Sequence, residues 1–149
     1  MSKSLLRWHE RLLLFTCYLI CFIFNILFDY IKALRVDSFL LESYLSQFYD
    51  YQVYIMFAVS FIVVMFHYKI SNIKKDEIYC RYVVGDSLRS ISIRYGLDCL
   101  LVLLCAYIIS AFIISILKLS KMNNIYLSCC LCFYILISSL KVGKKYENF

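Results

Sequence analysis

Four apolar runs, at about residues 12–30, 52–68, 97–117 and 125–140, constrain this chain more than anything else in it. Covering ~30 Å of hydrocarbon takes about 20 helical residues at 1.5 Å each, and the runs come close to that length. Backbone amides inside a bilayer must bond within their own segment, so runs of this kind are helices. Composition agrees. Of 149 residues 63% are apolar, and there is no proline and only three glycines, Gly85, Gly96 and Gly143. A water-soluble domain holds ~45–50% apolar residues. The fold expected is an all-α membrane protein: four transmembrane helices in a single transmembrane domain over 1–149, with an amphipathic cytoplasmic segment between the second and third spans.

Between the spans the chain is short and patterned. Residues 2–11 form a basic amphipathic start, with Leu5, Leu6, Trp8 and Leu12 toward lipid and Lys3, Arg7 and Arg11 toward phosphates. No small-residue cleavage site follows, so it does not read as a removable signal. His9 reads as an interfacial side chain. Asn25 is the strongly polar residue inside the first span, a candidate for an interhelical bond or a substrate contact. In the 31–51 link, Val36, Phe39, Leu40, Tyr44 and Phe48 recur at helical spacing, while Asp37, Ser38, Glu42, Ser46 and Asp50 fill the other side. This predicts an outward surface helix over the bundle end. The second span closes on His67, Tyr68 and Lys69, read as an interface group. Residues 118–124 read as a tight turn.

The polar stretch 75–100 carries the least random chemistry. Ile78, Tyr82 and Val83 fall on one side of a short helix, and Glu77 precedes Arg81 by four residues. Gly85 suits the left-handed position that ends helices, and Asp86 or Ser87 can cap the next one. There Leu88, Ile91 and Tyr95 share a face, with Arg89 and Arg94 off it. Asp98 can pair with Arg94 or hold the segment against a neighbour. The expected result is an elbow at 75–96, apolar beneath and cationic above.

Charge sets the expected orientation. With both termini in the cytoplasm, the inside holds Lys3, Arg7, Arg11, Lys69, Lys74, Lys75, Arg81, Arg89, Arg94, Lys141, Lys144 and Lys145. The outside keeps Lys32, Arg35, Lys118 and Lys121. This is the positive-inside pattern, and it puts the elbow in the cytoplasm. The net charge of +6 lies beside the spans, which fits anionic lipid and not nucleic acid. Seven of the eight cysteines (all but Cys80) lie in or at the edge of spans, where they read as small packing residues and not as disulfides or metal ligands. Richness in Ile, Lys, Tyr, Asn and Phe suggests an AT-rich bacterial genome, hence the bacterial plasma membrane.

Several functions are disfavoured. There is no phosphate-cradling glycine loop, so the chain is not expected to hydrolyse ATP alone. No span centre carries Asp, Glu, Lys, Arg or His, as proton- and ion-coupled carriers do. No proline breaks a span and no glycine sits near a span centre. No nucleophile–base pair is evident, and an enzyme is not expected.

The elbow resembles the coupling segment of the FtsX/MacB-like permeases of ABC transporters. That family follows its second span with (R/K)-E-I-x-x-x-(R/K)-x-(I/L)-G-(A/M)-(S/T), then a helix with basic, Ile and Phe positions, then an acidic residue. Asp76-Glu77-Ile78 is similar to the opening, with Asp76 in place of a base. Val84-Gly85-Asp86-Ser87 is similar to the glycine turn, with Asp86 at a usually small apolar position. Arg89, Ile91 and Tyr95 match the later positions, and Asp98 stands where the family has Glu. The outward region is far shorter than in many relatives. Glycines usual in the third span are replaced by Cys105, Ala106, Ser110 and Ala111. The resemblance implies a minimal permease subunit whose coupling residues are Glu77, Ile78, Gly85, Ser87, Arg89, Ile91, Tyr95 and Asp98. It also implies a partner ABC-type ATPase that holds the ATP and Mg, and a second permease copy or related permease. This chain would bind no cofactor of its own. Expected cargo is a peptide, an antimicrobial or a lipid-like molecule. A stand-alone membrane immunity protein against a bacteriocin is the alternative, and a pore-forming oligomer a third class.

Overall fold

The computed structural model describes residues 6–33 and 39–144, and among them there is no strand. The elements are α1 (Trp8–Ala33), α2 (Phe39–Asp50), α3 (Gln52–Ile73), α4 (Lys75–Val83), α5 (Leu88–Leu117) and α6 (Met122–Lys144). Helices α1, α3, α5 and α6 are each long and apolar enough to cross a membrane. The chain is a multi-pass membrane protein.

The helices outrun the apolar stretches that announced them. At 1.5 Å per residue, the 30-residue α5 is about 45 Å long, half as long again as the hydrocarbon is thick. A rod of that length either projects past the hydrocarbon or tilts within it. The second span was expected to stop near residue 68, but α3 continues to Ile73, and the single residue Lys74 separates it from α4. Met122, Asn123 and Asn124, expected in the turn, begin α6. Lys118 in the left-handed region (φ 53°) ends α5.

The core sits between α1 and α5, with α6 packed mainly on α5, α3 mainly on α1, and α6 also touching α1 and α3. From α5 come Ile91, Tyr95, Cys99, Leu103 and Ala106, clustered with Leu14, Tyr18, Cys21 and Phe22 of α1. Leu97, Leu101, Leu104, Ile108, Phe112 and Ile116 form the opposite, exposed face of α5. In lipid such a face costs nothing to expose, and association depends on close packing and interhelical hydrogen bonds. Small residues make the close packing. A Cβ added at Gly96 would meet the Oγ of Ser139 at 3.0 Å. Ser92 donates through its hydroxyl to the Ser139 carbonyl, and Ser139 Oγ donates back to the Ser92 carbonyl at 2.9 Å. Of the replacements for third-span glycines, Ala106 and Ser110 are buried, whereas Cys105 faces outward, one position off the buried stripe.

Other expectations need correction. Tyr82 and Val83 do not join Ile78 in a buried face: Ile78 is buried, and the other two are exposed because α4 packs only along its first turn. Leu6 is buried, not turned to lipid, while Trp8 is exposed. Within the 31–51 link a helix, α2, forms over Phe39–Asp50 with Tyr44 exposed; Val36, Asp37 and Ser38, and the side chains of Phe39, Leu40, Glu42 and Phe48, lie outside the described residues.

Candidate functional site

Two polar constructions hold the α4 end of the bundle together. The outer one is ionic. Lys74, buried at the α3–α4 junction, reaches Glu10 of α1 at 3.2 Å and Glu77 of α4 at 2.9 Å. Glu77 also accepts from Arg81 at 3.0 Å, the expected spacing-of-four pair. Burial alone would raise the Glu77 pKa, but the hydrogen bonds and charges of Lys74 and Arg81 outweigh it and hold the carboxyl below its usual value. Glu10 in turn closes the start of α1 by accepting from the Arg7 amide at 2.8 Å. Beside this cluster Arg11 of α1 meets Asp98 of α5 at 3.3 Å. Asp98 thus takes the second of its expected roles, a hold on a neighbouring helix. It ties its helix to α1, and Arg94 reaches back to Asp86 at 3.2 Å.

The inner construction is neutral and lies about two turns further along α3 from Lys74. His67 of α3 is fully buried. Its Nε2 is 2.6 Å from the hydroxyl of Tyr18 in α1, and its Nδ1 is 2.9 Å from the hydroxyl of Tyr95 in α5. A neutral imidazole has one donor and one acceptor nitrogen, and each hydroxyl can play either part, so both ring nitrogens are satisfied. Tyr134 of α6 completes the knot edge-on, its ring centroid 5.4 Å from that of His67. All four spans thus meet at one side chain.

The expected coupling residues divide by exposure. Gly85 (φ 101°) and Arg89 are exposed, and nothing lies within 4 Å of where a Gly85 Cβ would sit. Ser87 is exposed and caps α5 by accepting from the Ser90 amide at 3.3 Å, the role for which Asp86 was the other candidate. Ile78, Ile91 and Tyr95 are buried, and Asp98 is engaged by Arg11. No partner can touch the buried three directly. They fix the turn to the bundle, and what a partner could reach is Arg89, the Val84–Gly85 tip and the exposed rings of Tyr79 and Tyr82.

At the opposite end the polar contacts are amides. Asn25 donates to the Oδ1 of Asn124 at 3.0 Å, Asn124 donates to Ser110 at 2.8 Å, and Asn123 donates to Asp29 at 2.7 Å. Asn25 is thus a bridge from α1 to α6.

His67, Tyr18, Tyr134, Glu10 and Lys74 were not singled out as partners from the sequence. A signal for two of them existed. Val63, His67, Ile70 and Lys74 follow one another at spacings of four, three and four, one face of one helix, and all four are buried. Among the described residues no three metal-ligating side chains converge, and the eight cysteines are free thiols. No protein-family model matches the chain, and neither a curated protein nor a solved structure matches it.

Proposed function

We propose that this chain is the membrane subunit of an ABC-type transporter, with α4 and the turn after it as the handle that a partner ATPase grips. The observation that carries the reading is stiffness on both sides of one turn. Helix α4 follows α3 across a single residue, and α5 runs without a break from its Ser87 cap through the bilayer. A push on the turn is therefore delivered to two spans as rigid bodies, while exposed Arg89 and the apolar tip at Tyr82, Val83 and Val84 offer a surface to grip. The cationic residues gathered at this end, among them Lys69, Lys75, Arg81 and Lys141, favour its facing the cytoplasm, where such an ATPase resides. ATP and Mg belong to that partner. A second copy or a related permease would complete the complex, and the cargo class is a peptide, an antimicrobial or a lipid-like molecule.

Arg89→Glu is the test. Co-expressed with a cassette ATPase encoded beside it, the tagged wild-type chain should retain that ATPase through purification, and the variant should lose it at unchanged membrane level. Retention of ATPase by the variant, or no ATPase with the wild type, overturns the reading. Protection against a bacteriocin that survives Arg89→Glu without any ATPase would mark the chain as an immunity protein instead.

A further inference from the structure

Helices α3 and α6 touch at their middles and part toward both ends. There the Tyr134 hydroxyl donates to the Val64 carbonyl at 3.2 Å and the Tyr134 ring packs edge-on against His67. On the α2 side of it the seam opens into a cleft of about 620 Å³. That size lies within the ~300–1,000 Å³ range of small-molecule sites. Along α3 the cleft runs from Gln52 to Val64. Those twelve steps are about 18 Å, close to the depth of one leaflet of a ~30 Å hydrocarbon layer. Its walls are apolar side chains such as Val53, Phe57 and Leu127, and its floor reaches Asn25. At the outer rim stand one cation, Lys32, and two neutral amides, Gln52 and Asn123. Asp29, close to this rim, accepts from Asn123.

We infer that this cleft is a binding site for an anionic lipid, with one acyl chain between α3 and α6 and the phosphate at Lys32. Three features select this occupant over a partner helix. The cleft is one leaflet deep and ends at Tyr134, whereas a spanning helix must pass that waist. Beyond the waist a second cleft of about 380 Å³ has its own cation, Lys141, at its rim, so each half of the seam is apolar toward mid-membrane and positive at its outer end. The cation that lines it, Lys32, stands at its outer rim, and a Lys near the headgroups attracts anionic lipid. Asn25 spends its Nδ2 on Asn124, and its Oδ1 accepts from no described residue, which leaves an acceptor in the floor for a glycerol hydroxyl or an amide of the lipid.

The site needs no ATPase, and neither does its test. The full chain is reconstituted in nanodiscs of phosphatidylcholine carrying a phosphatidylglycerol with a photoreactive group on its acyl chain. Cross-linked peptides should come from residues 52–64 and 123–134 in excess over those holding Ile108 and Phe112, on the open face of α5. Lys32→Gln should cut that labelling about fivefold for the anionic probe and leave a phosphatidylcholine probe unchanged. Cys130→Trp, which fills the cleft from α6, should abolish it; Val53→Trp does the same from α3 if the first variant is not monodisperse. Labelling no denser than on α5, or indifferent to Lys32→Gln, means annular lipid only and overturns the site. So does a Cys130–Cys130 cross-link between copies that excludes the probe, since the seam then belongs to a second copy.

Discussion

Helices α3 and α5 flank the same turn, yet the bundle holds them by different means. Helix α5 is seated by shape. Its small residues Gly96 and Ala106 let α6 and α1 approach closely, and Ser92 exchanges hydrogen bonds with Ser139. Helix α3 has only Val63, His67 and Ile70 buried along its length, and beyond the contacts that Tyr134 makes with Val64 and His67 it parts from α6 into a cleft on either side. What fixes it is chemistry at a few points: the His67 knot and, just past its end, Lys74. A helix held by shape resists displacement along its whole length. A helix held by points can swing when one point yields. If the turn is a handle, α3 is the span that moves and α5 the span that stays.

The largest effect should follow loss of the knot. His67→Ala strips both Tyr18 and Tyr95 of a partner and opens a cavity among four helices. The expected cost is about 2–4 kcal/mol, read as a lowered unfolding midpoint in detergent. Hydrogen bonds inside membranes average only ~0.6 kcal/mol, so most of that cost is packing, and His67→Phe should recover at least half of it. The comparison predicts where the damage goes: amide exchange should rise along α3 and hardly at all in α5. Equal exchange in both would mean that α3 is no looser than its neighbour.

Gly96→Val probes the other side. Its first carbon already falls 3.0 Å from Ser139 Oγ, a hydroxyl committed to the Ser92 carbonyl, so the neighbour cannot yield without losing that bond. Overpacking of this kind costs about 1–3 kcal/mol. Here α6 should loosen from α5 while the His67 knot persists, and the test is again amide exchange, now centred on residues 131–141. A variant as stable as wild type would show that shape is not what seats α5.

These two sites differed in how far the sequence disclosed them. The spans were legible because lipid demands long apolar runs, and the turn because Gly85 and Ser87 each suit a backbone position that few residues fill well. Asn25 announced itself as a lone amide in an apolar run, although its partner Asn124 did not, having been assigned to a turn. His67 and Lys74 stayed hidden because polar residues at the end of a span usually face water or phosphate. Only the buried stripe they share with Val63 and Ile70 shows that they point inward. That stripe extends past the apolar run, which is also why α3 proved longer than its hydropathy. Pairings such as Arg11 with Asp98 join residues 87 positions apart, and spacing along one helix carries no trace of them.

The smallest effect should be at Glu77, and it tests whether the ionic cluster is one of the points that hold α3. Glu77→Gln removes a carboxylate shared by Lys74 and Arg81, but Lys74 keeps Glu10 at 3.2 Å, so the junction stays tied to α1. With the Glu77 side chain 33% exposed, solvent screening limits the loss to about 0.3–1 kcal/mol near neutral pH. The sign with pH follows from the depressed pKa. A carboxyl that ionises more readily when folded than when unfolded adds stability above the unfolded value of about 4.5, and that stability is lost as pH falls through the lower folded value. Wild type and Glu77→Gln should therefore differ at neutral pH and converge in acid, measured as paired unfolding midpoints across the range. A gap that persists into acid would mean that Glu77 acts by the shape of its packing, and the contrast between a helix seated by fit and one pinned by charge would fail at the junction where it matters for the handle.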